Sequence, residues 1–261
     1  MKRFVLSSLR SLGRVLPNIK YIRALPNVVF VPVAGLLAPP RNSERIDVGG
    51  FVMSLDRRQC VDQALYFAPQ HYDRRFILEV QKRFPSSGGV FVDCGANIGY
   101  WSLVMAHTFT RSNIYSFEIN PDTAEILKEN VHLNRFDNIS VINCGVSDQD
   151  AIVPLFLNLT GNRGGDSLVP VAGRSSIHVP VKKLLNLLGD LDIANIDAIK
   201  IDIEGYETKV FKSFYEEAPK DLWPITVCAE MSHSFGLDVY LCKIGYKKVM
   251  ANNENALFVL R

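Results

Sequence analysis

Thirteen residues constrain this chain more than any other stretch. Gly89–Trp101 reads Gly-Val-Phe-Val-Asp-Cys-Gly-Ala-Asn-Ile-Gly-Tyr-Trp. Val90, Phe91 and Val92 are strand formers, and Asp93 falls where such a strand should end. Gly95 and Gly99 bracket a tight turn, and from Tyr100 the pattern turns helical with Leu103, Val104 and Met105. A strand, a glycine-bearing turn and a helix start form a ligand cradle in an open α/β sheet. A Cβ at Gly95 or Gly99 is expected to block the approach of the chain to its ligand, with helix N-terminal N–H groups facing that ligand. The spacing is neither the full dinucleotide fingerprint nor a P-loop, because no Gly-Lys-Ser/Thr follows. On this window alone, a purely structural turn remains open.

The following units repeat the alternation. Ile114–Phe117 reads as a second strand ending in Glu118, placed to accept both hydroxyls of a ribose. Asn120-Pro121-Asp122 opens a helix over 122–133. Ile139–Asn143 reads as a third strand, Ala198–Ile203 as a fourth with Asp202 at its carboxyl end, and Thr226–Glu230 as a fifth. Gly245-Tyr246 to Val249 and Leu257–Leu260 form a closing hairpin, and 155–180 a glycine-rich hairpin insertion. Ligands in such sheets lie beyond the carboxyl ends of the strands.

Three segments in this order carry a family resemblance. Asp93-Cys94-Gly95-Ala96-Asn97-Ile98-Gly99 resembles motif I of the class I S-adenosylmethionine-dependent methyltransferases, and Phe117-Glu118-Ile119-Asn120-Pro121 resembles their acidic second motif. With Lys200-Ile201-Asp202-Ile203-Glu204-Gly205-Tyr206-Glu207, the more specific match, they resemble the FkbM family over roughly residues 66–246. Two positions depart from the pattern. Cys94 stands where small apolar residues are common, and Ile119 where proline is frequent.

The resemblance implies a Rossmann-like α/β fold: a mostly parallel sheet with an antiparallel last strand and helices on both faces. It implies S-adenosyl-L-methionine as cofactor and transfer to a hydroxyl oxygen of a sugar, glycolipid or natural product. Gly95, Ala96 and Gly99 would hold the amino-acid end of the donor through the motif I turn, and Asn97 its methionine portion. Asp93 would face its ammonium or order the turn, and turn stabilisation alone stays open for Asp93 and Asn97. Glu118 would hold the ribose. Asn143 and Ser147 lie where the family's adenine-side loop lies, and local capping explains both equally well. Asp202 is grouped with the donor side. Glu204, Glu230 and His233 are expected near the acceptor, with Glu204 orienting it and His233 taking its proton. Oxygen ligands at Asp202, Glu204 and Glu230 would suit a hard cation, yet no spaced motif demands one and no metal is expected. Two other classes stay open: a scaffold that retains the cofactor fold without catalysis, and an NAD-dependent oxidoreductase, whose ribose Glu118 would also suit.

Charge and cysteines bound the rest. A net charge of +2 implies no polyanionic partner, and no aromatic-flanked proline tetrapeptide or basic stripe marks a nucleic-acid substrate. The average conceals an asymmetry: residues 1–45 hold eight Lys/Arg and one acid, the remainder 21 Lys/Arg against 26 Asp/Glu. The division expected is a basic arm over 1–45, cap elements over 46–88 and the core over 89–261. Leu9, Leu12, Leu16 and Ile19 recur at helical spacing in the arm, while Val28–Leu37, broken by Pro32, reads as extended. Residues 1–25 could lie on a membrane surface, or the arm could pack on the domain or on a second subunit of a homodimer. The apolar run after Met1 is too broken for a signal peptide or a span. Five cysteines without a CxxC spacing indicate reduced thiols and a cytoplasmic setting.

Overall fold

The computed structural model describes residues 2–16, 29–37 and 42–261. The chain divides into two compact units, one of 1–74 with 159–164, the other of 75–158 with 165–261.

In the first unit, α1 (Lys2–Val15) and α2 (Val31–Leu37) precede a hairpin of β1 (Glu44–Asp47) and β2 (Val52–Leu55), followed by α3 (Cys60–Phe67). The extended reading of Val28–Leu37 is corrected here: Pro32 is the second residue of a helix, a position where its missing N–H costs nothing. Val28 and Ile19 lie outside the described residues. The strand at Val52–Leu55 pairs with Glu44–Asp47, not with residues near Cys60, which instead starts α3. Asp62 is buried on α3, and Arg163 lies 3.5 Å from its carboxylate. Burial raises the Asp62 pKa to about 6, with Arg163 pulling the other way.

The second unit begins with α4 (Arg74–Gln81), whose Gln81 amide donates to the Thr108 hydroxyl. Its sheet has the order β11-β12-β10-β9-β3-β4-β5. The members are β3 (Val90–Cys94), β4 (Asn113–Phe117), β5 (Ile139–Ile142), β9 (Ala198–Ile201), β10 (Thr226–Glu230), β11 (Tyr246–Ala251) and β12 (Asn255–Leu260). β5, β4, β3, β9 and β10 run parallel, while β12 is antiparallel to both β10 and β11. A three-stranded sheet is separate, with β8 (Ser176–Lys183) between β6 (Gly145–Ser147) and β7 (Ala151–Phe156). The insertion is thus the antiparallel β7–β8 pair and its connecting loop.

Strand alternation decides which side chain meets which layer. Val92 and Cys94 join one core with Leu187 of α7 (Leu184–Asp190), Phe211 of α8 (Glu207–Glu217) and Leu241 of α9 (Leu237–Lys243). Phe91 points the other way and stacks on Trp101 of α5 (Tyr100–Thr108), ring centroids 6.3 Å apart. Asp93 shares the Phe91 face, where its carboxylate meets Ser102 of the same helix. Ile199 and Ile201 belong to the first core, so Lys200 shares the face of Asp93.

Gly99 starts α5 in the left-handed region at φ 91°, and an added Cβ would overlap Leu127 Cδ1 on α6 (Pro121–Asn134) and come within 2.7 Å of Leu103 Cδ1. Gly99→Ala should lower stability in denaturant unfolding by about 1–3 kcal/mol. Gly173 also has positive φ, but its Cβ would meet nothing within 4 Å. Gly173→Ala should therefore cost only the backbone strain, and equal losses in the two variants would remove the packing contribution.

Candidate active site

The motif I turn is laced to its neighbours by backbone. Gly95 N–H and Ala96 N–H both donate to the Phe117 carbonyl at 3.0 Å, and Asp202 N–H donates to the Cys94 carbonyl at 3.0 Å. A Cβ on Gly95, which sits at φ 75°, would overlap the Asp202 carbonyl oxygen. The glycines at 95 and 99 are therefore required by the protein's own packing, where the sequence pointed to a ligand. The N–H groups of Gly95 and Ala96 are both taken up by β4, so what those two positions offer a cofactor is the close approach of the turn.

Asp93 is fully buried. Its Oδ2 accepts from the Ser102 hydroxyl at 2.5 Å, and Ser102 lies 2.7 Å from the Ser116 hydroxyl. Its Oδ1 has no hydrogen-bond partner and lies 3.9 Å from Lys200 Nζ. Burial raises the Asp93 pKa, and Lys200 and Ser102 oppose the rise. Lys200, only 8% exposed, donates to the Gly95 carbonyl at 3.0 Å and lies 3.4 Å from Asp202 Oδ2. One ammonium thereby joins the turn, the buried acid and the end of β9. The sequence quoted Lys200 within a motif but assigned it no role; the available signal was a lysine within the buried strand Ala198–Ile201.

Glu118 anchors the other wall. Its Oε2 accepts Asn97 N–H at 2.8 Å and its Oε1 accepts Asn120 N–H at 2.9 Å. A carboxylate has about four lone-pair sites, so two remain for a pair of hydroxyls. Burial raises the Glu118 pKa to about 7, against the opposing pull of the two N–H groups and Lys200, and Asp166 adds to the rise. Asn97 is held at φ 52°, and its Oδ1 is buried without a partner. Asparagine adopts the left-handed region more readily than most non-glycine residues, so the turn accounts for φ, and the buried Oδ1 is the feature the turn leaves unexplained.

The insertion reaches this wall through Asp166, which the sequence left as an unassigned loop residue. Asn120 caps α6 with its Oδ1 and donates its amide to Asp166 Oδ2 at 2.6 Å. Asp166 Oδ1 accepts Asn158 N–H at 2.6 Å. Asn143 donates its amide to the carbonyls of Glu118 and Ile119 at 2.8 and 3.2 Å. The buried Ser147 hydroxyl, in the separate sheet, donates to Asp148 Oδ1 at 3.2 Å. Ser147 thus makes a local contact within its own turn, whereas Asn143 ties its loop to the end of β4.

Beyond β9 and β10 four carboxylates converge. Glu204 lies at φ 56° and Gly205 at φ 101°, so two successive left-handed residues turn the chain away from the strand. Burial, with Asp202, Glu230 and Glu207 adding, raises the Glu204 pKa to about 7. Glu230 Oε1 accepts Ser232 N–H at 2.7 Å, and its Oε2 is buried without a partner. Glu207, which the sequence left without a role, is fully buried. It accepts N–H from Ile203 at 2.8 Å and from Gly205 at 3.1 Å, and the Ser234 hydroxyl at 2.6 Å. That carboxylate ties the turn after β9 to the turn after β10. Asp202, Glu207 and Glu230 each place an oxygen within 4.8 Å of the others, a spacing open to a cation. The donors already on Glu207 account for that acid without one. His233 is exposed on the rim, its Cβ beside Gly205.

The strand order, with an antiparallel strand inserted next to the last parallel one and acids at the ends of β4 and β9, defines a class I methyltransferase fold. The methyltransferase FkbM domain model matches residues 93–247, more than half of the chain, and the chain belongs to that family. Among curated proteins, it is 30% identical over 164 residues to Methyltransferase sdnD of Sordaria araneosa, covering 50% of this chain and 62% of that protein. It is 27% identical over 153 residues to Methyltransferase 1 of Beauveria bassiana, covering 51% of this chain and 61% of that one. A 26% match over 135 residues to the hexuronic acid methyltransferase AglP of Haloferax volcanii covers 47% of this chain and 48% of that one. The match thus spans about three-fifths of the length of the first two relatives. The METTL16 methyltransferase domain superposes with a TM-score of 0.48 at 11% identity, covering 81% of this chain and 73% of that one, and carries no argument about function.

Glu118 generates a test of the donor site. A hydroxyl donating to its carboxylate favours the charged form. Donor affinity in calorimetry should therefore rise as pH increases through about 7. Glu118→Gln should weaken binding by about 1.5–3 kcal/mol, the usual value of hydrogen bonds to a charged group, and flatten the pH dependence. Unchanged affinity would place Glu118 outside the donor site.

Proposed function

We propose that this protein transfers a methyl group from S-adenosyl-L-methionine to a hydroxyl oxygen of a small molecule or saccharide. Family membership supports the donor. The residues present fit it: Glu118 retains lone pairs for a ribose, and Asp93 Oδ1 and Asn97 Oδ1 are buried polar atoms without hydrogen-bond partners. When bound, that cofactor supplies an electrophilic methyl group on a cationic sulfonium.

The observation that carries the acceptor class is the placement of Glu204. A hydroxyl attacking carbon must lose its proton, and a carboxyl group near pKa 7 is well matched to receive it at neutral pH. Glu204 has that value and stands beyond the end of β9, held by the turn that Glu207 anchors. His233, expected from the sequence to be the base, is exposed, so we assign proton acceptance to Glu204 and a rim position to His233. Glu230 and Asp202 keep the neighbourhood negative, which favours a proton on Glu204 as the methyl group is transferred. A saccharide acceptor agrees with the hexuronic acid named for the Haloferax volcanii relative. All five cysteines are free thiols, in keeping with a reducing, cytoplasmic compartment.

Labelled donor incubated with the protein and a fractionated lysate should yield a labelled small-molecule or glycan ether. With that acceptor, single-turnover rates should rise through about pH 7, because Glu204 works in its deprotonated form. Glu204→Gln should slow transfer about 10²-fold or more while donor affinity stays unchanged. Full activity in that variant would end the assignment of the base. Saturable NAD binding without any response to the methyl donor would overturn the whole reading.

A further inference from the structure

Helix α1 packs on its unit through an unusual choice of side chains. Leu6 and Gly13 are buried, and Gly13 lies so close to Phe67 that a Cβ would overlap the Phe67 carbonyl. Arg10 donates to the Asp47 carbonyl at 2.9 Å and lies over the Tyr66 ring at 5.8 Å. Arg14 donates to the same carbonyl, and its guanidinium is 3.8 Å from the Asp47 carboxylate. Both arginines thus turn inward.

The outward face is what remains. Phe4, Ser8, Ser11, Leu12 and Val15 follow the i, i+4, i+7, i+8, i+11 spacing of one helical face, and all are exposed. Phe4 is 76% and Val15 75% exposed, an expensive arrangement for side chains that gain most from leaving water. Helix α2 adds Val33 and Leu36, the latter 84% exposed. Apart from Leu159, the exposed large hydrophobic residues described in this unit all precede residue 38. Large apolar side chains concentrated at a surface mark an interaction site.

Charge selects the partner. The first 25 residues hold six Lys/Arg and no acid; with Arg10 and Arg14 occupied at Asp47, Lys2, Arg3, Lys20 and Arg23 set the net charge of the arm. Two copies joined through this arm would bring like charges together, whereas an anionic surface would attract it. No helix among the described residues is long and apolar enough to cross a membrane, so the contact is peripheral. We infer that the outward face of α1 docks on the surface of a lipid bilayer bearing anionic headgroups, inserting Phe4, Leu12 and Val15 among them. Shallow apolar insertion with electrostatic attraction is how interfacial helices bind.

The test uses the full chain and co-sedimentation with vesicles of phosphatidylcholine alone or mixed with phosphatidylglycerol. The protein should pellet with the mixed vesicles, release as salt rises, and stay in solution with phosphatidylcholine alone. Phe4→Ser combined with Leu12→Ser should reduce partitioning about tenfold or more. Ser8→Glu with Ser11→Glu removes no apolar contact and should also release the protein, by repulsion from the headgroups. Circular dichroism of each variant should match the parent, which separates loss of docking from loss of folding. Failure of the parent to pellet at low salt would overturn the inference, as would wild-type binding by both folded variants. So would a concentration-dependent dimer, lost in the serine variant, in a chain that ignores vesicles: that result would assign the face to a second copy.

Discussion

The second unit turns on one backbone contact. Asp202 N–H donates to the Cys94 carbonyl, and the Asp202 carbonyl lies so close to Gly95 that no side chain fits between them. This contact brings the ends of β3 and β9 together. With Gly95 and Ala96 both bonded to Phe117, three adjacent strands finish at one place. The donor wall at Glu118 and the acids after β9 are consequences of that junction.

Bringing acids together in a protein interior is costly unless each finds a partner. The partners differ across the site. Lys200 faces Asp93 and Asp202, backbone N–H groups hold Glu118, and N–H groups with the Ser234 hydroxyl hold Glu207. Glu204 has no comparable set of short contacts, and burial followed by the charges of Asp202, Glu230 and Glu207 raises its pKa. Hydrogen bonding therefore distinguishes Glu118 and Glu207 from Glu204, residues of one type.

Local pattern was sufficient for much of this protein. Short β-branched and aromatic runs ending in an acid located β3, β4 and β10, because side-chain alternation and strand-end acids are written in adjacent residues. Asn120-Pro121 located the start of α6 for the same reason: a cap acts over three residues. The placing of Gly95, Asn97, Glu118 and Glu204 just past the ends of β3, β4 and β9 was legible. The direction in which Gly95 and Ala96 spend their N–H groups was not, since their acceptor is 21 residues or more away at Phe117.

By itself, then, the sequence determined the alternation of strand and helix, the family and the strand ends at which chemistry is placed. Tertiary structure decided which polar groups are already occupied. Lys200, Glu207 and Asp166 acquired roles only when distant segments met: Gly95 for the lysine, Ser234 for the glutamate, Asn120 for the aspartate. It also reversed the arm, turning Arg10 and Arg14 toward Asp47 and leaving Phe4 and Val15 in water. The physical reason is common to all of these. Propensity and capping act between neighbours in the chain, whereas burial and hydrogen-bond satisfaction are properties of the packed whole.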